Sequence, residues 1–404
     1  MLIKPNRLAP NRRQAITLMA AGLSASAFAG EASAPEKLLQ TARGQTVYFN
    51  AWGGSDVINR YIQWAGQQVF ARFGVQVEHV KVTDTADVVR RVRTERAAGK
   101  LDGSVDLVWI NGENFLAMKR EALLYGPLNA WLTNYALVDT RGKPTTTIDF
   151  AEPVDGMEIP WGMAQLTFMV DSQRVARPPQ NSTELMAFVK ANPGRVTYPR
   201  PPDFHGTTFL KQLLVDLNPN RSALYEAATP QALDRFTGPV WEYLDALHPH
   251  LWRNGRQFPP TAAAQRQMMA DGELLFAMTF NPNEAANEIA ANRMAASVVS
   301  YQFRTGTIGN THFVAVPINA KAKEGAIVLA DFLLSPQAQA RKADIAVWGD
   351  PTVLDVAALP AAQRALFTAS ALPGQVRSPA NAIPEPHGSW VAPLQARWTR
   401  RYGT

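Results

Sequence analysis

The chain has no cysteine in its 404 residues. A protein of this length can rely on core burial in place of disulfides, so the lack is compatible with an oxidising compartment. It does exclude one anchoring route. A bacterial lipoprotein needs a cysteine at its processing site, so the mature chain is expected to be free in solution. After the N-terminus the sequence also lacks any run of roughly eighteen apolar residues, the length of a membrane span, any solenoid-type repeat and any low-complexity block. Neither a serine-nucleophile elbow nor a helical zinc motif occurs. The 6 histidines are scattered except for His248-Pro249-His250, which reads as a loop rather than a metal site. No cofactor and no metal are expected.

What is present begins with a leader. Lys4, Arg7, Arg12 and Arg13 form a positive stretch without an acidic residue, an apolar run follows from Ala15 to Leu23, and Ala27-Phe28-Ala29 offers small residues at signal-peptidase spacing. Residues 1–29 therefore read as a secretory signal, too short in its apolar part to span a bilayer. The stretch Asn11-Arg12-Arg13-Gln14-Ala15-Ile16 resembles a twin-arginine signal, with Ala15 where such signals usually carry Phe. Both export routes end in the periplasm, and the choice between them stays open. Without the leader, Lys plus Arg falls from 40 to 36 against 34 acidic residues, and the net charge drops from +6 to +2. The basic balance belongs to the signal, and a nucleic-acid partner is not implied.

The first strand signal is Thr46-Val47-Tyr48-Phe49-Asn50-Ala51-Trp52, closed by Gly53-Gly54. Val57, Ile58, Tyr61, Ile62, Ala65, Val69 and Phe70 then recur at helical steps. A second strand (Val75, Val77, Val80), a second helix (Val88, Val89, Val92), a third strand (Val105 to Ile110) and a third helix from about Asn114 complete an alternation that argues for a parallel sheet. Weaker signals of the same kind follow. Strands are expected at Gln165 to Val170, Val196 to Tyr198, Leu274 to Thr279 and Thr311 to Val316, with helices between them.

In open parallel sheets, ligands bind beyond the carboxyl ends of strands, near helix N-termini. The junctions Trp52-Gly53-Gly54-Ser55-Asp56, Thr83-Asp84, Asn111-Gly112-Glu113 and Asn281-Pro282-Asn283-Glu284 carry suitable residues, and Phe204-His205-Gly206-Thr207-Thr208 is a fifth. Each one alone is ordinary loop and cap chemistry. Together, with Trp52, Trp161, Phe204 and Tyr301 in the pattern, they favour a ligand cleft.

The stretches TVYFNAWGGSD, ARFGVQVEHV and SVDLVWINGENF resemble the opening lobe of the bacterial extracellular solute-binding proteins of ABC importers. IPWGMAQLTFMVDSQ resembles their first crossing between lobes, and GTIGNTHFVAVPINAKAKEGAIVLADFLLSPQAQ the returning strand and its helix. Within that family the chain is similar to a YnjB-like subgroup, related to thiamine, polyamine and ferric-ion binders. A late Tyr-Tyr pair typical of ferric-ion binders is missing, which disfavours iron.

The resemblance implies an α/β, type II periplasmic-binding-protein fold with two hinge-linked lobes, each a mainly parallel sheet flanked by helices. Lobe 1 would take 44–160 plus about 308–340, and lobe 2 would take 161–307 plus about 341–404. The implied function is capture of a small polar solute, with a thiamine-like or polyamine-like cation favoured by Asp56, Asp84, Glu113 and Glu284. The implied ligand-binding residues are Trp52, Gly53, Gly54, Ser55, Asp56, Thr83, Asp84, Asn111, Gly112, Glu113, Trp161, Gly206, Thr207, Asn281 and Tyr301. The partners would be the solute and an inner-membrane ABC permease with its ATPase, and the protein itself is expected to be a monomer and not an enzyme. The competing class is a periplasmic hydrolase using cleft carboxylates.

Overall fold

The computed structural model describes residues 34–367, 374, 376 and 382–403; the leader lies outside the described residues. In chain order the strands are β1 (Thr46–Trp52), β2 (Gln76–Val82), β3 (Leu107–Ile110), β4 (Leu124–Tyr125), β5 (Ile148–Asp149), β6 (Glu152–Pro153), β7 (Ile159–Gln165), β8 (Thr167–Asp171), β9 (Phe276–Thr279), β10 (Val298–Tyr301), β11 (Thr307–Pro317) and β12 (Ala382–Ile383). The first sheet runs β12-β11-β3-β1-β2, with β4 and β7 also paired to β11. Within it β1 is parallel to both β2 and β3, in the register Phe49↔His79 and Phe49↔Leu107.

Local sequence accounts for this half. The helix Asp56–Phe73 buries Val57, Ile58, Tyr61, Ile62, Ala65 and Val69 on one stripe and stops at Gly74, whose left-handed backbone (φ 71°) lets its N–H reach the Phe70 carbonyl. Burying each large aliphatic side chain contributes about 1.5–3 kcal/mol. The stripe packs into a core with Phe49, Trp161, Leu329 and Trp348.

The second sheet departs from expectation. Its order is β10-β8-β9, and β8 is antiparallel to both neighbours, as in the pairs Tyr301↔Phe168 and Thr167↔Thr279. The reason lies in the entry point. β8 follows the crossing strand β7 after a single residue and so leads away from the crossing, while β9 and β10 lead back toward it. The stretch Val196 to Tyr198 forms no strand. Val196 and Tyr198 are buried in the second core, the Val196 carbonyl accepts from the Trp252 N–H, and the nearby Pro199, Pro201 and Pro202 have no N–H for a ladder.

β7 and β11 are the crossing segments. They pair antiparallel over most of their length, with a register shift at His312/Phe313, and Ala164 and Ile308 enter the second core while Ile159 and Val314 enter the first. The last part of the chain is shared between the lobes rather than given to the second. Trp348, Val353, Leu354 and Leu359 pack in the first core, with Val353 and Leu354 pinned by the Asp139 N–H and the Lys143 ammonium. Only after that do Ile383, Trp390, Leu394 and Trp398 join the second core.

The β5–β6 hairpin turns through Phe150 (φ 44°) and Ala151 (φ 64°). Two successive positive φ values are the geometry of a tight hairpin loop that normally selects Asn-Gly, and each costs an ordinary residue about 1–2 kcal/mol. Ala151→Gly is therefore expected to raise the unfolding free energy by about 0.5–1 kcal/mol, after allowing for the greater entropy of glycine in the unfolded chain. Urea denaturation checks this, and a loss of stability would show that the turn is not strained.

Candidate functional site

The strand ends of the first sheet and the helix starts of the second lobe converge on the crossing segments. Trp52, half-buried at the end of β1, faces His205 of the second lobe at 6.5 Å between ring centroids. Phe204 and His205 in turn lie 5.0 and 6.1 Å from Phe280, at the end of β9. Ser55 and Asn111 occupy the N-cap positions of the helices Asp56–Phe73 and Gly112–Arg120, and neither side chain caps its helix. Asp84, by contrast, is exposed and accepts from the Ala86 N–H at 2.9 Å, so it serves as a cap. Asp56, Thr83 and Gly54 are exposed, and a Cβ on Gly53 or Gly54 would meet Lys81 or the Trp52 ring. Asn281 reaches across to the Trp348 carbonyl at 3.4 Å, beside Asn283 and Asn287, which donate to Gly349 and Trp348 carbonyls.

Several expected residues are placed elsewhere. Gly206 is fixed by packing, since a Cβ there would lie 2.0 Å from the Pro199 carbonyl oxygen. Thr207 is buried and accepts from Gln395 of the last helix at 3.0 Å. Tyr301 packs against Phe168 in the second core with its hydroxyl buried. Trp161 is fully buried and lies within an aromatic group with Trp109, Trp348 and Tyr61, at centroid distances of 5.0, 5.5 and 6.3 Å. That group is filled from within. The Lys342 ammonium sits 5.8 Å from the Trp161 ring and 5.5 Å from the Trp348 ring, and pairs with Asp350 at 2.5 Å. Asp350 also meets His312 Nε2 at 3.1 Å. The trio needs the room left by Gly162, where a Cβ would lie 2.0 Å from the Asp350 carboxylate. Burial holds the Lys342 pKa below its ordinary value, and Asp350 works against that shift.

A second charged group lies between the lobes. Lys211, on the helix Phe204–Leu217, is 1% exposed and pairs with Glu385 at 2.7 Å. Asn310 of β11 donates to the other Glu385 oxygen at 3.1 Å. Glu113, from the first lobe, shares this field: burial raises its pKa, and Lys211 counters. Among the described residues the Glu113 carboxylate accepts from its own backbone N–H and from no side chain. Beneath it, Asp149 accepts from the Gly112 N–H. Glu158 is fully buried, and neither of its carboxylate oxygens has a hydrogen-bond partner.

Sequence patterns could have flagged only Lys211, the lone charge in the apolar run Phe209-Leu210-Lys211-Gln212-Leu213. His312, Lys342, Asp350, Asp149, Glu158 and Glu385 carry no local signal.

Desolvation, with Asp149 adding to it, raises the Glu158 pKa well above its ordinary value of 4.5. The folded chain thus keeps a proton that the unfolded chain releases, so this residue costs stability as pH rises above about 4.5. Glu158→Gln, which carries no ionisable proton, should gain stability relative to the native chain between pH 5 and pH 8. Urea melts at the two pH values test this, and equal pH dependence would rule out the buried acid.

Among the described residues, no group of three His, Asp or Glu side chains is placed to hold a metal ion, and no helix is long and apolar enough to cross a membrane. A cavity of about 790 Å³ lies on the outer face of the first lobe, between the helix Asp56–Phe73 and β2. It adjoins the strand-end loops described above through Asp56 and Lys81.

Two sheets joined by crossing strands, with strand-end loops facing each other, define a two-lobed binding protein of the periplasmic type. The chain belongs to the bacterial extracellular solute-binding protein family, whose model matches residues 65–369, and is the solute-binding component of an ABC importer. It is 47% identical over 386 residues to Protein YnjB of Escherichia coli (strain K12), covering 95% of this chain and 97% of that protein. Among solved structures, the periplasmic binding protein AfuA from Actinobacillus pleuropneumoniae, with fructose-6-phosphate bound, is similar at TM-score 0.61 and 14% identity, covering 89% of this chain and 99% of that one. The spermidine/putrescine substrate-binding protein PotD from Streptococcus pneumoniae is similar at TM-score 0.54 and 15% identity, covering 79% and 87%. The family binds solutes rather than converting them and is exported.

Proposed function

We propose that this protein captures a small organic cation, thiamine-like or polyamine-like, between its lobes in the periplasm and delivers it to an inner-membrane ABC permease. The observation that carries this reading is Glu113. It is a carboxylate at the start of the helix Gly112–Arg120, without a side-chain hydrogen bond of its own among the described residues, and it lies in the field of Lys211, whose ammonium is 5.5 Å from the Phe204 ring. Trp52, Ser55, Asn111, Glu113 and Asn281 are the residues assigned to the solute. Aromatic faces and a desolvated carboxylate together favour an ammonium or thiazolium-type ligand. PotD, a spermidine/putrescine substrate-binding protein, is in keeping with a cation, while AfuA, with fructose-6-phosphate bound, holds an anion. The leader at 1–29 would direct export and be removed, leaving a monomer.

A thermal-shift screen of the mature protein with thiamine, putrescine, spermidine and small carboxylates tests the reading. A ligand at a hundred times its Kd stabilises the folded state by about 2.7 kcal/mol. Stabilisation by a cation without any product supports the proposal, and stabilisation by anions alone overturns it.

A further inference from the structure

We propose that the β5–β6 hairpin is a latch between the lobes, in which Phe150 of the first lobe holds the Lys211 side chain of the second and so sets how readily the lobes part. This rests on the two-lobed capture reading but not on the charge of the solute.

Four observations converge. The Phe150 ring is 3% exposed and carries the Lys211 ammonium 4.1 Å from its centroid, while Phe204 lies on another side at 5.5 Å and Glu385 pairs at 2.7 Å. Phe204 and Glu385 both belong to the second lobe's side of the contact, so the Phe150 face, with the Glu113 and Asp149 carboxylates whose field Lys211 shares, is the part of the cage contributed from across the space. The Phe150 carbonyl also accepts from the Gly388 N–H at 3.2 Å, a second link from the same hairpin tip to the C-terminal segment.

The hairpin is held rigidly on its own lobe. Asp149 accepts from the Gly112 N–H, and Lys119 pairs with Glu152 at 2.9 Å and Asp155 at 2.7 Å. Gly112 itself has φ +61°, and a Cβ there would lie 2.6 Å from the Phe150 ring, so the start of the helix Gly112–Arg120 leaves room for that ring. Finally, the turn keeps Phe150 and Ala151 at positive φ where Asn-Gly would be relaxed. Strain retained at a position that inserts a ring under a charge of the opposite lobe points to a conformational role. On opening, Lys211 would keep Glu385 and lose Phe150; the ion pair stays within one lobe, and the cation–π contact breaks together with the attraction of Lys211 to Glu113 and Asp149.

The absence of cysteine makes the test direct. Spin labels on Gln67→Cys and Ala246→Cys, both exposed and one on each lobe, report the inter-lobe distance distribution by pulsed electron resonance with no solute added. Phe150→Leu keeps an apolar side chain and removes the ring face. It should add or enlarge a longer-distance population at least threefold. Lys211→Met, made together with Glu385→Gln so that no buried carboxylate is orphaned, should enlarge the same population, and combining all three changes should add little beyond either. Urea melts confirm that each variant is folded. If Phe150→Leu leaves the distribution unchanged, or if the effects of the two sites simply add, the latch is refuted. Neither result bears on the solute screen, so failure here and failure of the cation reading are separable.

Discussion

Asp350→Ala is expected to lower the unfolding free energy by about 3–5 kcal/mol at neutral pH, the loss typical of breaking a buried ion pair from one side. Asp350 is 2% exposed and holds Lys342, itself fully buried, at 2.5 Å, with His312 on its other oxygen. Without the carboxylate, the ammonium keeps only the faces of Trp161 and Trp348, at 5.8 and 5.5 Å. These faces attract a cation but do not replace water on all three of its protons. Burial already lowers the Lys342 pKa from 10.5, and Asp350 is the largest influence opposing that shift. Removing it lets the folded-state pKa fall further, so the folded variant binds fewer protons than the unfolded chain. Stability of the variant should then rise with pH up to the ordinary lysine value, and the deficit against the native protein should shrink between pH 7 and pH 10. Tryptophan-monitored urea unfolding at several pH values measures both. A companion double variant, Lys342→Met with Asp350→Asn, should recover much of the loss, because no charge is left unpaired. A deficit under about 1 kcal/mol would show that the pair is hydrated rather than buried.

Glu113→Gln is the second large effect, on binding rather than folding. A hydrogen bond to a charged partner contributes about 1.5–3 kcal/mol, and 1.4 kcal/mol is tenfold in Kd. The variant should therefore bind the cationic solute found by the thermal screen about ten- to a hundredfold more weakly in titration calorimetry. Its own stability should be unchanged or slightly higher, since desolvation disfavours the charged form of Glu113 in the folded protein. Unaltered affinity would remove Glu113 from the site and return the solute contacts to Trp52, Ser55, Asn111 and Asn281.

The contrast between these two residues shows where the sequence was readable. Glu113 follows a strong strand, Leu107–Ile110, and opens a helix, so a local pattern marks it. Asp350 sits in an irregular segment between the helix Pro336–Ala343 and the isolated bridge at Leu354. Nothing within its neighbours announces that it will meet Lys342 and His312. The aromatic residues divide in the same way. Trp52, at a strand end, lies 6.5 Å from His205 between ring centroids, whereas Trp161 and Tyr301 are taken up by the cores.

By itself the sequence determined the leader pattern, the alternating strands and helices of the first lobe, the two crossing strands and the family resemblance. The leader pattern and the alternation follow from apolar periodicity, turn residues and small-residue spacing, which are properties of neighbours in the chain, while the crossing strands were implied by the resemblance. Tertiary structure alone decided that the second sheet is antiparallel, that the C-terminal segment serves both cores, and that Lys211, Glu385 and Phe150 meet between the lobes. Those outcomes depend on which distant surfaces exclude water together, and pairing energies between remote residues leave no period in the sequence for a reader to find.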